Sequence, residues 1–128
     1  MTPLFRIGAR GSKLSLAQTE LVRADLAARF GVEAARLEIV VITTSGDRIQ
    51  DRRLIELGGK GLFTKELDEA LREGRIDLAV HSLKDLPTRL PDDIILACVP
   101  AREDPRDAFV SPRAATLADL PAGANVGT

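Results

Sequence analysis

Two hydrophobic periods run along this chain, and the switches between them predict the order β-α-β-α-β. Leu4-Phe5-Arg6-Ile7-Gly8-Ala9 reads as a first strand, ended by Arg10-Gly11-Ser12. A helix is expected from about Lys13 to Arg29, with Ser12 as its N-cap and Gly31 at its exit. Leu14, Ala17, Leu21, Ala24 and Ala28 fall on one helical face, and Val22, Leu26 and Phe30 widen it. That face is the expected contact with the sheet. Leu37-Glu38-Ile39-Val40-Val41-Ile42 is β-branched and predicts a second strand. Residues 46–61 read as a long polar loop, of the kind that is functional or mobile inside a compact domain. A second helix is expected from about Leu62 to Glu73, burying Phe63, Leu67, Ala70 and Leu71 and ending at Gly74. Ile76-Asp77-Leu78-Ala79-Val80 predicts a short buried strand, and Ile94-Ile95-Leu96-Ala97-Cys98-Val99 another.

This order implies an α/β fold, a mostly parallel sheet with flanking helices. A charged connection bracketed by Pro100 and Pro105 divides the chain. Residues 1–100 are read as a first domain, and residues 101–128 as a hinge and the beginning of a second. The latter stretch holds a short helical piece around Leu117-Ala118-Asp119-Leu120 and a strand-like Asn125-Val126-Gly127-Thr128. It is too short for a second core, which suggests a fragment.

Composition narrows the function classes. The 128 residues are 45% hydrophobic, enough for one core. The net charge is -1 with charges spread throughout, which argues against a nucleic-acid binder. No apolar run is long enough to span a bilayer, and the first residues do not resemble a signal peptide. A single cysteine fits a reducing cytosol, and one cysteine with one histidine gives no plausible zinc set. Cys98, in an apolar run, is expected to be an inert buried thiol.

The densest chemistry is His81-Ser82-Leu83-Lys84-Asp85-Leu86-Pro87, directly after a predicted strand. Ligands bind at the carboxyl ends of strands in open α/β sheets. Three such ends carry polar clusters: Arg10 and Ser12; Thr44, Ser45 and Asp47; Ser82, Lys84 and Asp85. Together they form a pocket hypothesis. Gly58-Gly59-Lys60-Gly61 has part of a phosphate-loop pattern but lacks its full spacing, and a hinge explains it equally well. His81 fits a general base or a hydrogen-bonded structural residue.

These residues occur in RIGARGSKLSLAQ (Arg6–Gln18), TTSGD (Thr43–Asp47), GGKGLFTKELDEAL (Gly58–Leu71), DLAVHSLKDLPT (Asp77–Thr88) and REDPRDAFVS (Arg102–Ser111). In these motifs and their order the chain resembles the N-terminal part of the porphobilinogen deaminases, or hydroxymethylbilane synthases. The resemblance implies a three-domain, monomeric, cytosolic transferase of heme biosynthesis, whose first two domains resemble periplasmic binding proteins around a cleft. It implies head-to-tail condensation of four porphobilinogen units, with loss of ammonia, on a covalently held dipyrromethane primer. Asp85 matches the family's catalytic aspartate, which also contacts the cofactor. Lys84, Ser12 and Lys60 match cofactor-binding positions, Arg10 and Gln18 match substrate-binding positions, and Asp47 and Lys60 belong to the active-site loop. No metal is implied.

The chain departs from the family in having Glu56 where many relatives carry a lysine. It stops before a Ser-Ser-x-Arg-Arg stretch and the third domain, whose cysteine holds the primer, and Cys98 does not match that cysteine. The chain alone is therefore expected to be inactive. A reading from another class is a non-catalytic small-ligand-binding module, which the fold alone would allow.

Overall fold

A computed structural model describes residues 2–49 and 61–127, in two compact units, Met1–Cys98 and Val99–Thr128. In the first unit, strand β1 (Phe5–Ala9) lies between β2 (Leu37–Val41) and β3 (Leu78–Ala79), and both pairings are parallel. Phe5 stands opposite Leu37 and Ile7 opposite Leu78. Among the described residues of the unit, three α-helices accompany the sheet: α1 (Lys13–Phe30), the single-turn α2 (Ser45–Arg48) and α3 (Lys65–Arg72). The expected α/β class with a parallel sheet is what forms.

Strand alternation sends successive side chains to opposite faces. On one face Ile7 and Leu37 pack with Ala27 of α1. On the other, Ile42 packs with Leu67 and Ala70 of α3 and with Ile76. A Cβ at Gly8 would collide with the Ile76 side chain and lie 3.0 Å from Leu67 Cδ2, so glycine lets α3 sit close on β1. Helices thus cover both faces, and the parallel pairings bring all three strands out at one edge.

Helix α1 begins and ends where the sequence predicts. The Ser12 hydroxyl accepts from Ser15 N, and Gly31 closes the helix in the left-handed region at φ 64°. Its buried face is a different one from the face expected. Ser15, Thr19 and Ala27 point inward, whereas Leu14 and Leu21 are 61% and 62% exposed and Ala17, Ala24 and Ala28 are also exposed. A polar tether to the residue after β1 accompanies this rotation. Arg10 N donates to Ser15 Oγ at 3.1 Å, and the Thr19 hydroxyl donates back to Ser15 O at 2.7 Å.

The expected strand over Ile94–Val99 does not form. Ile95 is 82% exposed, Ile94 N bonds only back to Pro91 O within a turn, and Cys98 is exposed rather than buried. β-Branched and apolar residues favour a strand only where a neighbouring edge supplies hydrogen bonds, and among the described residues none pairs with this segment. In the second unit Leu117–Asp119 forms a 3-10 turn, where the Thr116 hydroxyl donates to Asp119 Oδ2 at 2.7 Å. No described residue of that unit is buried, and the strand expected near Val126 is absent there.

Candidate active site

All three strand exits deliver polar residues to the same sheet edge. β1 runs directly into Arg10, β2 into the Thr44–Arg48 turn, and β3 into a 3-10 turn at Leu83–Asp85. The turn after β2 overlaps the start of the expected polar loop, and it is ordered by a capping box. The Thr44 hydroxyl donates to Asp47 Oδ2 at 2.7 Å and Thr44 N donates to the same oxygen at 3.1 Å. Asp47 therefore stands fixed at the edge.

The Asp47 carboxylate also takes the Arg10 guanidinium side-on, from Nε at 3.1 Å and Nη2 at 2.5 Å. On the far side of the guanidinium, Nη1 lies 3.7 Å from Asp85 Oδ2. Arg10 thus bridges two carboxylates that are 38 positions apart in the sequence. The Phe63 ring lies beneath it, 3.9 Å from the guanidinium carbon, in cation–π contact. Gly46 makes room for that ring, since a Cβ there would fall on its edge.

The Asp85 side chain is 17% exposed, and its Oδ1 accepts from Lys84 Nζ at 2.9 Å. Lys84 is 77% exposed, so its ammonium reaches solvent while tethered to Asp85. A pocket at this edge is lined by Arg10, Ser12, Ser15, Gln18, His81 and Ser82 together with Lys84 and Asp85. The Ser82 hydroxyl donates to Gln18 Oε1 at 3.0 Å, which leaves the Gln18 amide N–H donors for other partners. Burial pushes the His81 imidazole below its usual pKa, against the pull of nearby Asp85, so the neutral ring is favoured at pH 7. Ser12 has a structural task as the α1 cap while it lines the pocket.

Of the residues singled out from sequence, Arg10, Ser12, Gln18, Asp47, Lys84 and Asp85 therefore come together at this edge. Lys60 and most of its glycine-rich turn lie outside the described residues. Phe63 was expected in the core, where an aromatic at helical spacing usually belongs. No spacing rule pairs it with Arg10. Ser45 and Glu66 meet at the same turn. Glu66 Oε1 accepts from Ser45 N at 2.7 Å and from the Ser45 hydroxyl. The Thr-x-x-Asp capping pattern at Thr44–Asp47 was the one local signal for this turn.

Asp47 links the site to stability. Burial pushes its carboxyl up, but the hydrogen bonds from Arg10 and Thr44 outweigh that and hold it below the usual value. As the pH falls, the unfolded chain therefore takes up this proton first. The contribution is full above the ordinary carboxylate pKa of about 4 and is lost as pH falls through the lower, folded value. Asp47→Asn is expected to flatten part of the acid-side loss of stability in urea denaturation from about pH 6 to about pH 3. Parallel acid slopes for the two chains would show that the contact carries no such linkage.

Comparison with known proteins gives one consistent result. The family model "Porphobilinogen deaminase, dipyromethane cofactor binding domain" matches residues 5–128. A porphobilinogen deaminase of Caulobacter vibrioides is 60% identical over 134 aligned residues, covering 98% of this chain and 42% of that relative. One from Phenylobacterium zucineum is 57% identical over 133. The chloroplastic porphobilinogen deaminase of Pisum sativum is 56% identical over 129, covering 99% of this chain and 35% of that protein. The chain spans less than half the length of these curated relatives. With the family model matching nearly its whole length and the motif residues gathered at one sheet edge, the chain belongs to the porphobilinogen deaminase family.

Proposed function

We propose that this chain supplies the catalytic carboxylate and part of the binding pocket of a transferase that condenses porphobilinogen into hydroxymethylbilane. The observation that carries this reading is Asp85, a largely buried carboxylate held between Arg10 and Lys84 at the carboxyl end of β3. Loss of ammonia from porphobilinogen leaves a methylene-pyrrole that is cationic at nitrogen. A fixed carboxylate beside that nitrogen stabilises the charge as it develops, and a preorganised partner needs no reorganisation at that moment. The neighbouring cations hold the Asp85 side chain in place for this task.

The residues present also suit a dipyrromethane, which carries pyrrole N–H donors and carboxylate arms. Asp85 would accept from the pyrrole nitrogens. Lys84 would meet a carboxylate arm, with Ser12 and Gln18 supplying polar contacts beside it. When bound, that group supplies the primer to which pyrrole units are joined. Its attachment needs a thiol, and exposed Cys98, the chain's one cysteine, does not match the family's attachment residue. The chain by itself is accordingly proposed not to turn over. The parallel sheet with its ligand edge also fits one half of a two-domain cleft of the periplasmic-binding-protein kind.

A chimera tests the assignment. This chain would replace the matching segment of the Caulobacter vibrioides porphobilinogen deaminase, and porphobilinogen consumption would be followed. Turnover by the chimera, with none by the chain alone, is the expected result. A folded chimera without activity would remove the catalytic reading and favour a ligand-binding module.

A further inference from the structure

We propose that Glu66 is a positioning residue, clamping the Thr44–Arg48 turn so that Asp47 holds Arg10 and Arg10 stands beside Asp85. The role of Asp85 rests on the function proposed above, but the clamp itself is a matter of geometry.

Glu66 sits in the first turn of α3, where a carboxylate is favoured by the helix dipole and is normally free to point into water. Here it turns inward across 21 positions of sequence and accepts both the backbone N–H and the hydroxyl of Ser45. Burial raises its carboxyl pKa, but the Ser45 hydrogen bonds outweigh that and keep it ionised. Its second oxygen, Oε2, is buried and has no hydrogen-bond partner among the described residues. Burying one carboxylate oxygen with no partner among the described residues costs stability, so its place at this turn is poorly explained by stability alone.

The residues beyond Ser45 account for the arrangement. Gly46 N donates to Leu62 O at 2.8 Å, and the Phe63 ring lies between Gly46 and Arg10. Two positions after Ser45 comes Asp47, which grips Arg10. The order of contact is therefore Glu66 to Ser45, along the turn to Asp47, then to Arg10 and Asp85. Leu62 O and Phe63 steady the turn through backbone and packing. Among the described residues, Glu66 alone supplies a charged acceptor to it from outside the turn.

The test is side-chain NMR on the full chain. In the parent, the Arg10 Nε–H donates to Asp47 and is expected to exchange slowly with solvent. Glu66→Ala is expected to speed that exchange about tenfold, as loss of a charge-assisted contact would allow. Glu66→Gln keeps an oxygen acceptor for Ser45 and should stay within about twofold of the parent. The backbone amide of Ile7, buried in β1, reports global opening in the same samples. A selective rise at Arg10 in the alanine variant, rescued by glutamine, supports the proposal. An unchanged Arg10, or equal rises at Arg10 and Ile7, overturns it. Should the alanine variant fail to fold, Ser45→Ala decides, because it removes only the hydroxyl bond; an Arg10 signal unmoved by it also overturns the proposal. No substrate enters these measurements, so an inactive chimera would refute the proposed function without touching this result.

Discussion

An Asp85→Asn version of the chimera should fold like its parent yet turn over porphobilinogen at least about a hundredfold more slowly. That size reflects the loss of a preorganised charge partner, which typically costs on the order of 3 kcal/mol at the transition state. Asparagine is nearly isosteric, and it can still accept from Lys84, so the local fold should survive. On the proposed function, what disappears is the negative charge beside the pyrrole nitrogen, and with it the attraction for the developing cation. Arg10 would then face an amide on one side and Asp47 on the other, which leaves excess positive charge where positive charge must form. The loss should fall in kcat more than in KM, since the interaction strengthens only as ammonia departs. Turnover within a few-fold of the parent would take Asp85 out of the chemistry.

The second large effect concerns the scaffold. Leu67→Ala should destabilise the chain by about 2–5 kcal/mol, because Leu67 is fully buried and the space it leaves cannot easily close. Leu67 packs with Ile42, Ala70 and Ile76 under β1, directly beside Gly8, which has no side chain to lean into a gap. Against a typical domain stability of about 5–15 kcal/mol, that is a large fraction. Urea denaturation of the chain followed by circular dichroism measures it. A cost below about 1 kcal/mol would mean that α3 is loosely packed on the sheet.

Local patterns made much of this legible. β1 and β2 are short and mostly apolar, β2 is also β-branched, and their neighbours change abruptly in polarity, so their places can be read from sequence. The ends of α1 were legible for the same reason, because Ser12 and Gly31 have specific capping roles. Its buried face was not. Both sides of α1 carry small and apolar residues, and the side that is buried is the one where Ser15 accepts from Arg10 N, a contact no periodicity contains. Ile94–Val99 fails in the opposite way. Its composition suits a strand, but a strand needs an edge to join, and edges belong to the tertiary structure.

The site divides along the same line. Lys84 and Asp85 are neighbours in sequence, and their pairing could be anticipated. The grip of Asp47 on Arg10 could not, since it depends on how two strand exits meet. The resemblance to a family placed Arg10 among substrate contacts. The structure adds that two of its guanidinium nitrogens are already engaged by Asp47, and a third faces Asp85.

That arrangement bears on how a ligand is drawn in. Two cations, Arg10 and Lys84, stand against two carboxylates, Asp47 and Asp85, and their formal charges cancel. Such a quadrupole projects little field beyond the screening distance of about 8 Å at physiological ionic strength. These four groups should therefore give an acidic ligand no long-range steering, and their part in its association rate should change little with added salt. Through these four groups, selection among ligands would then happen at contact, where on the proposed function an arriving molecule offers a hydrogen-bond donor to Asp85 and an anion to Lys84 in a single orientation.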